Sequence, residues 1–274
     1  MPETRFKMRA RRALPAALFA AGAALSVGPG LAAEADFATA PAKGSVSAVR
    51  LLSAGPMQDG AYRAGVEIAL DPKTVTYWRQ PGEAGSPPVF DFSKSANVAS
   101  VEPVFPLPKH IDEAGTIVAG YDETVIFPLK VIPKDPKAPV TLAMKLDYAA
   151  CGKICLPAKA ELSLALPQTG ASPYAGAIAA AEKQAPVKIG AAEARKRLAV
   201  TKTGEGVWRV GLSGSGKAQD VFAEVKEPLF LDAKKEGDAF SLTLFGAGQS
   251  QKSADATLTI VTDKGAFEAP VRLE

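Results

Sequence analysis

Val140-Thr141-Leu142-Ala143-Met144-Lys145-Leu146-Asp147-Tyr148-Ala149-Ala150-Cys151-Gly152-Lys153-Ile154-Cys155-Leu156-Pro157 is the stretch that decides how this chain folds. Val140, Leu142, Met144, Leu146 and Tyr148 stand on one side of a period-2 repeat, as in a strand with one buried face. Beyond Pro157 the alternation returns at Leu162, Leu164 and Leu166 and stops at Pro167. The turn between these strands holds both cysteines of the 274-residue protein. With Gly152 free to take a positive φ, a tight hairpin can set Cys151 and Cys155 face to face at disulfide distance.

The same punctuation runs outward in both directions. Val46 to Leu52 reads as a first strand, and Tyr62, Ala64, Val66, Ile68 and Leu70 alternate until Asp71-Pro72. Thr74 to Arg79, with Tyr77 and Trp78, reads as another strand, followed by a Pro/Gly loop to Pro88. Val89 to Phe92 and Val98 to Phe105 are short strands, Lys109 to Gly115 is a polar loop, and Val125 to Val131 alternates again. Seven or eight short strands over about 130 residues predict an immunoglobulin-like β-sandwich. The cysteines flank one turn, so they are not the bridge that joins two sheets of such a sandwich.

Residues 169–200 change character: Pro173 to Ala185 and Ala191 to Leu198 are rich in alanine and charged helix formers and predict a short helical connector. From residue 201 the β pattern resumes at Val207 to Leu212, Val221 to Val225, Phe240 to Phe245, Leu258 to Val261 and Ala266 to Leu273. The expectation is an all-β protein in which residues 36–168 form one sandwich and residues 201–274 a second, smaller one.

Residues 1–35 open with Arg5, Lys7, Arg9, Arg11 and Arg12, continue through the apolar run Ala13 to Val27, and end in small residues around Ala33-Glu34-Ala35. That is the pattern of a secretory signal peptide, too short for the roughly 20 apolar residues of a spanning helix. Export out of the cytoplasm, without stable membrane insertion, is expected. The full chain has 32 basic and 29 acidic residues; removing residues 1–35 leaves 27 of each. A neutral mature protein has no electrostatic footprint for nucleic acid.

An exported protein can keep a disulfide. As a staple, a loop of about five residues gains roughly 2 kcal/mol, against about 4.7 for a loop of about a hundred, so a bridge this local does little for a sandwich. Tight or exposed bridges are also the reducible ones. Spacing and compartment leave the structural and redox readings both open. Two thiolates suit Cu(I), but the chain has one histidine, His110, and four methionines, two of them in the signal, so no resident metal and no cofactor is expected. A second cysteine beside the first argues against a hydrolytic nucleophile, because the pair would oxidise.

A strand Leu146-Asp147-Tyr148 ending in Cys151 and Cys155, then Leu156-Pro157, preceded by an acidic loop and Tyr77-Trp78-Arg79-Gln80-Pro81-Gly82, resembles the N-terminal periplasmic domain of DsbD-type thiol:disulfide interchange proteins. The likeness is nearest to the reductases linked to suppression of copper sensitivity, and spans about residues 45 to 168. It implies a periplasmic protein-disulfide reductase-type electron carrier. A membrane-embedded thiol reductase would be the donor, and a periplasmic thioredoxin-fold protein the acceptor. Cys155 would be the exchanging thiol and Cys151 its resolving partner. Asp112 and Glu113 match an acidic pair near the cysteines, where carboxylates disfavour the thiolate. Tyr121, Trp78 and Tyr148 match the aromatic residues around the site. The chain departs from the family in its short Cys-x-x-x-Cys spacing, in Ala114-Gly115 where an aromatic would follow the acidic pair, and in lacking the transmembrane and thioredoxin-like domains. A different class remains open: a non-enzymatic binding module, carrying Cu(I) on the same two thiolates.

Overall fold

The computed structural model describes residues 1–3, 36–113, 115–213, 216–246 and 253–274. The expected signal sequence from residue 4 to residue 35, and the Gly214-Ser215 turn, lie outside the described residues. No helix among the described residues is long and apolar enough to cross a membrane.

The first part of the chain folds as strands β1 (Ala42–Lys43), β2 (Ser47–Ser53), β3 (Tyr62–Leu70), β4 (Thr76–Tyr77), β5 (Val89–Asp91), β6 (Val98–Pro103), β7 (Lys109–Glu113), β8 (Thr116–Tyr121), β9 (Val125–Pro133), β10 (Val140–Cys151) and β11 (Cys155–Leu166). A five-stranded sheet in the order β1-β2-β3-β9-β6 packs against a three-stranded sheet in the order β11-β10-β5. Between them Val66, Phe127, Leu129, Leu142 and Leu146 are buried without solvent contact or nearly so. Burying each such side chain is worth about 1.5–3 kcal/mol, and this core is what the period-2 repeats encode. A third sheet, β4-β8-β7, closes the end of the sandwich as a small plate.

The plate differs from the sequence expectation, which read Lys109 to Gly115 as a loop. Lys109 to Glu113 instead pairs with β8 from Lys109↔Gly120 to Glu113↔Thr116, turning at Gly115 with φ 93°. Its side chains are mostly polar on both faces, so no hydrophobic alternation marked it as a strand.

Helix α1 (Ala175–Lys183) lays Ile178 against Leu52 and Ala38 of the first sandwich, and Glu182 pairs with Arg63. After the short strand β12 (Val187–Lys188), helix α2 (Ala191–Arg197) buries Ala194 in the second core. The rest is β13 (Leu198–Gly204), β14 (Val207–Leu212), β15 (Ala218–Val225), β16 (Leu229–Glu236), β17 (Ala239–Gly246), β18 (Ala254–Thr262) and β19 (Gly265–Leu273). They form two four-stranded sheets, β12-β19-β18-β15 and β13-β14-β17-β16, around Trp208, Leu242, Leu258 and Ile260. The fold is thus an immunoglobulin-like sandwich followed by a second β-sandwich, with short helices between them. β13 and β16 escape a reading by hydrophobic pattern because both are outer strands with exposed charged residues, the usual protection of a sheet edge.

Candidate redox site

β10 and β11 pair without a break from Val140↔Leu166 to Cys151↔Cys155, so the hairpin register itself brings the two cysteines opposite each other. They form a disulfide with a Cα–Cα distance of 3.9 Å. Gly152 does not use a left-handed backbone in this turn. Cys151 is 2 % exposed, whereas Cys155 and the turn residues before it are open to solvent. The bridge therefore offers one sulfur to an incoming group and hides the other.

What hides Cys151 is the plate. Val75 pairs with Cys151 through both backbone bonds, at 2.8 Å each, and Thr76 Oγ1 donates to Ala149 O at 2.9 Å. This seats Tyr77 over the bridge, in a small cluster with Val118, Ala149 and Cys151. The Tyr77 hydroxyl lies 2.8 Å from Cys151 Sγ, 3.5 Å from Cys155 Sγ and 2.7 Å from Glu113 Oε2, to which it donates. Two glycines make room for it. A Cβ on Gly120 would meet Thr76 O at 2.4 Å, and one on Gly85 would meet the Tyr77 ring at 2.5 Å. Burial, then the bond to Glu113, push the Tyr77 phenol far above its ordinary value, so it keeps its proton as a donor.

Glu113 reaches the other sulfur: its Oε1 stands 3.2 Å from Cys155 Sγ. In the disulfide this is a contact without a proton; once reduced, the Cys155 thiol can donate to the carboxylate. Both sulfurs and the carboxylate lie within 4.8 Å of one another, so the reduced pair with Glu113 could also hold a metal ion. Two thiolates suit Cu(I) and the carboxylate does not, which leaves a two-sulfur site for a soft ion.

The segment that builds the hairpin, the plate and the core beneath them, residues 47–167, matches the family model described as thiol:disulfide interchange protein DsbD, N-terminal. Over this segment the chain is similar to a DsbD-type N-terminal domain. Its fold is that of the crystal structure of the N-terminal periplasmic domain of ScsB from Proteus mirabilis. The two are 20% identical and superpose with a TM-score of 0.64, covering 87% of this chain and 98% of that one. A comparison with curated proteins finds no match.

Strand alternation sorts the remaining site residues of this first sandwich. Tyr148 points away from Cys151, into the core, where its hydroxyl shares a 2.7 Å bond with Ser47 Oγ. Tyr121 is buried in the same core and donates to Pro106 O at 2.8 Å. Trp78, next to Tyr77 and therefore on the opposite side of the chain, packs in that core against Phe222 of the second sandwich. Asp112, next to Glu113, accepts the Gly115 N–H at 2.7 Å and braces the plate's turn. Of the residues named from sequence, Cys151, Cys155 and Glu113 meet at the disulfide; Asp112, Tyr121, Trp78 and Tyr148 stand elsewhere. Tyr77 is the residue that sequence reading passed over, although strand parity held the signal: it faces away from its neighbour Trp78.

Proposed function

We propose that the protein is a periplasmic thiol-disulfide exchange carrier, with Cys155 as the exchanging sulfur and Cys151 as the resolving one. The proposal takes residues 1–35 as a removable signal, 36–168 as the redox domain, 169–200 as its connector and 201–274 as an accessory sandwich. The carrying observation is the asymmetry of the bridge: Cys155 is exposed beside Glu113, and Cys151 is buried under the Tyr77 hydroxyl.

A donor thiolate, supplied by a membrane-embedded reductase, attacks Cys155 Sγ along the open side. A donor–Cys155 bond forms as the Cys151–Cys155 bond breaks. Cys151 leaves as a thiolate, and the Tyr77 O–H, which donates to Glu113 while the bridge is closed, can turn its one proton to Cys151 Sγ at 2.8 Å and stabilise it. The donor's second thiolate then attacks its own sulfur in the mixed disulfide, and Cys155 is released. The donor is oxidised by two electrons, and the pair takes up two protons. In the second half-reaction, Cys155 loses its proton to solvent and attacks the disulfide of a thioredoxin-fold acceptor. Cys151 then attacks Cys155 Sγ, which re-forms the bridge and frees the acceptor dithiol. Glu113 sets a negative charge where Cys155 would become negative, which restrains exchange with casual thiols.

A redox titration tests the reading. A carrier needs a potential above about −300 mV, in the range of exchangeable pairs, and a lower one would mark a structural staple. A second reading follows from the proximity of the two sulfurs: the reduced pair as a Cu(I) carrier, linked to copper tolerance. Tight, stoichiometric Cu(I) binding that blocks thiol alkylation would favour it over exchange.

A further inference from the structure

Strand β15 is the outer strand of its sheet, and an outer strand leaves backbone N–H and C=O groups without strand partners. At Val225 the first sandwich takes them. Gln80 Oε1 accepts from Val225 N at 2.7 Å, and Gln80 Nε2 donates to Val225 O at 2.9 Å. One residue back, both Glu224 carboxylate oxygens accept from Arg79 at 2.6 Å, and Glu268 on β19 accepts from the same guanidinium. Phe222 meets the edge of Trp78 with centroids 5.7 Å apart and stacks on His110 at 4.4 Å. Asp220 Oδ1 lies 3.1 Å from His110 Nε2. Asp220, Phe222 and Glu224 are alternate residues of one strand and so share a face.

The two segments gripped by β15 are the two that guard the disulfide. Trp78, Arg79 and Gln80 continue directly from Tyr77, and His110 lies on β7 with Glu113. Strand β4 is only two residues long, pairing with β8 through Thr76 and Tyr77, and Trp78 N–H adds one bond to Ala119 O at 3.0 Å. Its start is tied to β10 and the chain returns to β8 at Pro81, whose carbonyl accepts from Ala119 N at 2.9 Å; between these points the side chains of Arg79 and Gln80 are held by the second sandwich. The plate thus works as a two-sided part. One side carries Tyr77, Ile111 and Glu113 towards the bridge; the other carries Trp78 and His110 towards β15.

We propose that Arg79, Gln80 and His110 are positioning residues, through which β15 of the second sandwich holds the Tyr77 hydroxyl and the Glu113 carboxylate against the Cys151–Cys155 pair. This gives the second sandwich a task in the redox chemistry, although it holds no cysteine. The inference rests on the exchange reading for its purpose but not for its geometry.

The test is alkylation of the reduced full-length protein by iodoacetamide, in which a sulfur–carbon bond forms and iodide leaves, with each cysteine followed by mass spectrometry. In the wild type, Cys155 reacts and Cys151 is protected. Arg79→Ala and Gln80→Ala are expected to speed Cys151 modification at least tenfold and to move the pH profile of Cys155 alkylation to lower pH. Arg209→Ala, which removes an ion pair with Glu236 on the far sheet of the second sandwich, leaves both unchanged. Gln80→Ala removes only one pair of edge bonds, so it decides the matter if Arg79→Ala does not fold. Wild-type protection and profile in a dock variant with a native near-ultraviolet spectrum would overturn the proposal. Failure of Cys151→Ser to trap any partner, with these shifts present, contradicts the exchange reading and leaves the dock standing.

Discussion

The Tyr77 hydroxyl stands 2.8 Å from Cys151 Sγ, on the buried side of a bridge whose other sulfur faces solvent. A phenol held protonated there can stabilise a thiolate that leaves Cys151. Tyr77→Phe keeps the ring and its cover while removing the donor. A hydrogen bond to a charged group is worth about 1.5–3 kcal/mol, so reduction of the disulfide by dithiothreitol should slow by about tenfold or more. Stopped-flow measurement at fixed pH checks this, and an unchanged rate would remove Tyr77 from the chemistry.

Glu113 and Asp112 are neighbours with different tasks. Glu113→Gln removes the negative charge 3.2 Å from Cys155 Sγ, so the thiolate is less disfavoured and the alkylation profile of Cys155 should move to lower pH. Reactivity at pH 7 is expected to rise about threefold to tenfold, a shift of up to one pH unit. Asp112→Asn should leave that profile in place, since its carboxylate bonds the Gly115 N–H instead.

His110 makes the contact between the two sandwiches depend on pH. Its pKa is raised above the ordinary imidazole value, first by the bond to Asp220, against the opposing effect of burial, with the Val221 backbone and Asp232 adding to the rise. A raised folded value means that the charged pair stabilises fully below about pH 6.5, the unfolded value, and that this contribution is lost as pH rises through the folded value. Both side chains are more than a third exposed, so screening keeps the effect small. Thermal melts across that window should lose the pH-dependent part in Asp220→Asn, and NMR titration of the one histidine should return to an ordinary midpoint.

Gly120 is where β8 comes closest to β4. A Cβ there would meet Thr76 O at 2.4 Å, backbone that cannot move aside without shifting Tyr77. Gly120→Ala should cost about 1–3 kcal/mol, the usual penalty for overpacking, seen as a lowered denaturant midpoint. It should also expose Cys151 to alkylation.

Much of this was legible before the structure. The period-2 repeats of Tyr62–Leu70 and Val140–Tyr148 mark strands with one buried face because the core filters their side chains, and those strands stand where expected. The hairpin that pairs Cys151 with Cys155 follows from its two flanking repeats. The site was harder to read, since it is assembled on short, polar strands. Lys109–Glu113 has no hydrophobic period, and β4 is too short to show one. Counting alternation through these strands would have separated Tyr77 from Trp78, Glu113 from Asp112 and Cys151 from Tyr148, because residues an odd number apart on a strand face opposite ways. The grip of Arg79 and Gln80 on β15 joins residues 145 apart, and no local pattern records such a contact.

The most direct test is a trapping experiment in which Cys151→Ser and Cys155→Ser are each exposed to periplasmic thioredoxin-fold proteins, and mixed disulfides are identified by mass spectrometry. The account predicts a stable adduct on Cys155 in Cys151→Ser, because the exposed sulfur attacks and its resolving partner is gone, and little or none on Cys151 in Cys155→Ser. Adducts on Cys151 alone, or none in either variant under conditions that trap an established exchange pair, would contradict it.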